Sequence, residues 1–76
     1  MQDIQEYVKD RDEVFRSLDW DRIQRFCLKW KIAIPKRDIV FKSKVYKAIL
    51  HMDSSSNKEK VDAIEWLTRH GFNLDF

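Results

Sequence analysis

The chain has one glycine, Gly71, and one proline, Pro35, in 76 residues. A strand-rich domain needs frequent tight turns, and those turns draw on glycine, which reaches positive φ without a side-chain clash. Helices joined by short polar loops need far fewer such positions. The scarcity predicts an all-α fold: a compact bundle of three to four short helices in a single domain over residues 1–76.

A domain of this size buries only roughly 60% of the surface its unfolded chain exposes. Bulky side chains answer that difficulty. Three Trp, two Tyr and five Phe are present, and each buried aromatic removes roughly 150–250 Å² from water.

Apolar periodicity places four helices. The first covers about residues 3–16, with Ile4, Tyr7, Val8, Val14, Phe15 and Leu18 near one stripe that Arg11 interrupts. The second covers about residues 20–31, with Asp19 as N-cap and Trp20, Ile23, Phe26, Cys27 and Trp30 on one face. It stops before Ile32-Ala33-Ile34-Pro35, because the residue ahead of a proline is pushed out of the helical region.

The third helix covers about residues 36–52, opening with Pro35 in its first turn or Asp38 as its N-cap. Its stripe is Phe41, Val45, Ala48, Ile49 and Met52. Ser56 followed by Glu59 forms a capping box for a fourth helix over about residues 57–70, where Val61, Ala63, Ile64 and Leu67 point inward with Trp66 beside them. Gly71 closes that helix in the left-handed conformation and folds Phe72 back onto Leu67. In the remaining tail, 71–76, Phe72, Leu74 and Phe76 alternate as an extended edge.

Charge is unevenly distributed. Residues 1–21 hold seven acids against three bases, a balance of −4; residues 22–51 hold nine bases against Asp38 alone, or +8; residues 52–76 hold five acids against three bases, or −2. Within the basic block, Arg22, Arg25 and Lys29 recur at i, i+3 and i+7 along one flank of the second helix. Lys42, Lys44 and Lys47 spread around the solvent side of the third. These six bases, with Trp66 at the edge of its helix's apolar face, are the candidate partner-binding residues. The competing expectation is that acids of the first helix lie opposite the bases and pair with them, each exposed pair contributing about 0–1 kcal/mol.

Catalytic chemistry has little to stand on. Cys27, His51 and His70 are far apart and form no metal-ligand spacing, which predicts no metal and no cofactor. Both histidines fall at helix C-termini, where an imidazolium suits the negative end of the dipole. Cys27, flanked by Phe26 and Leu28, reads as a small buried hydrophobe. A chain with one glycine has no glycine-rich loop to cradle a nucleotide phosphate. The single cysteine, the acidic first residues and the lack of a long apolar run predict a cytoplasmic protein with no secretory signal and no membrane partner.

The leading expectation is a non-enzymatic protein-binding module, of adaptor or inhibitor type, docking through a basic helical face. The alternative is a nucleic-acid-binding protein that uses the basic surface of the second and third helices. As a helix-turn-helix these two helices fit poorly, since the joint from Lys31 to Asp38 exceeds the usual turn of about 3–4 residues and lacks glycine. A third expectation is a purely structural role, such as a homodimer through Ile32–Ile34 or the Phe72–Phe76 tail, with a monomer as the other state the sequence allows.

Overall fold

The computed structural model describes residues 4–75. The all-α expectation holds: four helices and, among the described residues, no strand. They are α1 (Ile4–Ser17), α2 (Trp20–Lys29), α3 (Asp38–His51) and α4 (Asn57–Arg69). Asp3, expected to open the first helix, and Phe76, expected in the tail, lie outside the described residues. Contacts group the chain into two units, Met1–Ile34 and Pro35–Phe76.

In the first unit α1 packs against α2. Val14 and Phe15 are buried on α1; Ile23, Phe26 and Cys27 are buried on α2. The join is aromatic: Tyr7 stacks on Phe26 with centroids 5.7 Å apart, and meets the edge of Trp30 at 4.8 Å. Phe15 meets Phe26 edge-on at 5.7 Å. Such pairs add about 0.5–1.5 kcal/mol beyond the area they bury.

The stripe expected on α1 is buried only at its C-terminal half. Ile4 is 76% exposed and Val8 is 40% exposed, and Leu18 lies beyond the helix end at φ +54. Arg11, where the stripe is interrupted, turns its guanidinium onto the Asp12 carboxylate at 2.8 Å. Asp19 caps α2 as expected, its side chain accepting from the Arg22 amide at 3.3 Å.

Helix α2 stops at Lys29, two residues short of the expected end. Trp30 is its C-cap, Lys31 follows at φ +57, and the Ile32 amide donates back to the Cys27 carbonyl at 2.8 Å. This six-to-one bond is the Schellman arrangement, here built around a lysine.

In the second unit α3 packs against α4. Helix α3 starts at Asp38 with Arg37 as an N-cap that makes no side-chain hydrogen bond, so neither opening expected from the sequence occurs. Asp38 instead occupies the first turn, where a carboxylate complements the helix dipole, and pairs with Lys42 at 3.0 Å. Phe41, Val45, Ile49 and Met52 are buried as expected, and Ala48 is half-buried.

Two serines are buried among these residues. The Ser43 hydroxyl donates to the Val40 carbonyl at 2.7 Å, and the Ser55 hydroxyl donates to the Ile49 carbonyl at 2.7 Å. Ser55 thereby ties the α3–α4 loop to the open carbonyls at the end of α3.

The capping box opens α4 as expected. Glu59 N–H donates to Ser56 Oγ at 3.1 Å, and Ser56 N–H donates to Glu59 Oε1 at 2.8 Å. Ala63 and Leu67 are fully buried, but Val61 (58% exposed) and Ile64 (38% exposed) face outward, contrary to the sequence expectation. The far flank carries the ion pairs Lys58–Asp62 and Glu65–Arg69.

Gly71 closes α4 at φ +78, and the Phe72 amide donates to the Leu67 carbonyl at 2.9 Å. The tail then runs beside α3. Lys47 Nζ donates to Asn73 Oδ1 at 3.2 Å, and His51 Nε2 donates to the Leu74 carbonyl at 2.9 Å.

Candidate functional site

The helical repeat sets Arg22, Arg25 and Lys29 on the flank of α2 turned away from Ile23 and Cys27. All three are exposed. Among the described residues, none lies within ion-pair distance of a carboxylate. Together with Asp10, Val14 and Phe26 they line a hollow between α1 and α2.

A second hollow, about 300 Å³ in volume, is lined by Glu6, Lys9, Asp10 and Glu13 from α1 with Lys29 and Trp30 from α2. Asp10 and Lys29 belong to both, so the two hollows adjoin along a groove between α1 and α2, with a mainly acidic α1 wall (Glu6, Asp10 and Glu13, with Lys9) and a basic α2 wall. The Lys29 ammonium lies 5.5 Å from the centre of the Trp30 ring. Trp30 Nε1–H is shielded from solvent and meets no acceptor.

The acids of α1 therefore do lie opposite the bases of α2, but they do not close onto them as ion pairs. Glu6, Asp10 and Glu13 recur at i, i+4 and i+7, the same helical flank logic that drew attention to Arg22, Arg25 and Lys29. That spacing was the available signal for the acidic wall.

The other candidate residues belong to the second unit and are more engaged. Lys42 holds Asp38, Lys47 holds Asn73, and Lys44 is exposed. Trp66 is half-buried in an aromatic stack, with Tyr46 at 4.5 Å, His70 at 4.2 Å and Phe72 at 6.0 Å. Burial pushes the Tyr46 phenol up from its ordinary value, while nearby Lys42 pulls it down and Asp62 pushes it up. His70 Nδ1 also donates to the Trp66 carbonyl at 2.9 Å, which fixes the ring over the indole.

Cys27 is buried, and that burial raises its thiol above the ordinary value, away from the reactive thiolate. Among the described residues no three His, Cys, Asp or Glu side chains group as metal ligands. No helix among them is long and apolar enough to cross a membrane. No family model, no curated protein and no solved structure matches this chain.

Proposed function

We propose that this chain is a small, non-enzymatic protein-binding module that docks through the groove between α1 and α2. The observation that carries the reading is the groove's double sign. Arg22, Arg25 and Lys29 are exposed and unpaired on one wall, while Asp10 and Glu13 stand on the other. A nucleic-acid backbone presents negative charge throughout and is repelled by the acidic wall. A protein surface carries both signs and can oppose each wall with its complement.

Charge arranged this way steers encounter and fixes register more than it adds affinity. Reversing the basic wall with Arg22→Glu, Arg25→Glu and Lys29→Glu is expected to abolish capture by the immobilised chain while its far-ultraviolet circular dichroism stays unchanged. Capture that persists at wild-type yield on the reversed variant would place the interface elsewhere.

A further inference from the structure

The two walls of the groove complement each other, and this identifies an occupant. Rotate a second copy of the hairpin by a half-turn about an axis running along the groove. Each residue keeps its height along the groove, and α1 of one copy comes to lie over α2 of the other. The acidic wall of each copy then faces the basic wall of its partner, twice over. A half-turn about an axis across the groove would instead set α1 on α1 and α2 on α2, acid against acid and base against base.

Height matters as well as sign. Asp10 lines one hollow together with Arg22, Arg25 and Lys29, and Glu13 lines the other together with Lys29. A rotation that preserves height therefore sets the wall that carries Asp10 and Glu13 in one copy over the wall that carries the bases in the other. Because these bases hold no carboxylate in the described structure, nothing must be broken first.

We infer that the groove between α1 and α2 is a two-fold self-association surface, occupied by the same groove of a second copy. This inference rests on the docking reading above and names its partner. Such an interface is isologous: the same patch serves both sides, and the assembly closes at two copies. Because the contacts are between exposed charges, the dimer weakens as salt rises.

The test is sedimentation velocity over a wide concentration range, at low and at high salt, with two wall-reversed variants. Asp10→Lys with Glu13→Lys makes both walls positive; Arg25→Glu with Lys29→Glu makes both negative. The wild type is expected to dimerise at low salt and dissociate at high salt. Each variant alone is expected to weaken dimerisation by at least about tenfold, since like charges now face each other across the interface. An equimolar mixture of the two variants is expected to restore a dimer, because a positive groove meets a negative one.

A wild type that stays monomeric at every concentration would overturn the inference, as would a dimer indifferent to both reversals or a mixture that stays monomeric. The salt titration of the wild type needs no variant to fold. The two readings fail separately. Monomeric wild type with capture of a different protein, lost on reversing the basic wall, leaves the docking groove standing and removes only the second copy as its occupant.

Discussion

Lys31 stands in the terminal motif of α2 where Gly71 stands in that of α4. Each follows a C-cap residue at φ −96 and ψ 7, each has positive φ (+57 and +78), and each precedes an amide that donates five residues back, Ile32 to Cys27 and Phe72 to Leu67. Only one of the two is the residue this conformation favours. A side chain in the left-handed region costs roughly 1–2 kcal/mol.

Lys31→Gly is therefore expected to stabilise the protein by about 1 kcal/mol, read as a higher midpoint in urea. Gly71→Ala is expected to destabilise by about 1 kcal/mol for the same reason. A methyl group at Gly71 meets no atom within 4 Å, so that loss isolates backbone strain from crowding.

The same contrast between position and chemistry governs α4. Leu67 is fully buried and Val61 is 58% exposed. Leu67→Ala is expected to cost about 2–5 kcal/mol through lost burial and the cavity left behind. Val61→Ala is expected to stay within about 0.5 kcal/mol of the wild type, since no core contact is removed. A large loss at Val61 would mean that this flank is covered.

Ser56→Ala breaks the capping box and leaves the Glu59 amide without its acceptor. The expected loss is about 1 kcal/mol, with Ser56→Asp recovering most of it because a carboxylate also caps. Urea melts of the two variants check both values.

Alkaline pH is expected to weaken the fold through Cys27. Burial holds its folded-state value above 9.0, so between the unfolded and folded values the native state binds more protons than the unfolded chain. Stability is then intact below pH 9 and falls as pH rises from there through the folded value. Urea midpoints between pH 8 and pH 10 measure the slope, and Cys27→Ala is expected to flatten it. Tyr46, also raised by burial, adds a fall of the same sign starting near 10.0.

Much of this architecture is legible in the residues themselves. Asp19, the Ser56–Glu59 pair and Gly71 have specific local jobs that few other residues perform, and all three sit where those jobs are done. Lys31 was illegible because a lysine in the left-handed region has no compositional signature. Asp38 looked like a cap but lies one residue inside its helix, where the dipole and Lys42 hold it instead.

Periodicity overreached at Ile4, Val8, Val61 and Ile64. It ranks the faces of a helix by polarity, but the buried width depends on how much surface the packed neighbour covers. With one helix packed closely against each within a unit, the outer apolar positions stay in water. The basic wall of the groove was readable from spacing alone. The distance between walls was not, because charge patterns do not say whether opposed groups close into pairs or stand apart across a groove.

Cross-linking tests the docking groove most directly. A photoreactive amino acid replaces Glu13 on the groove wall in one variant, and Glu65 on the ion-paired flank of α4 in another. Both are illuminated in the cells the chain comes from and resolved by mass. The expected result is a discrete protein adduct from the Glu13 position, lost when Arg22, Arg25 and Lys29 are reversed, with little from the Glu65 position. Adducts from Glu65 alone, or adducts from Glu13 to nucleic acid and to no protein, would contradict the account.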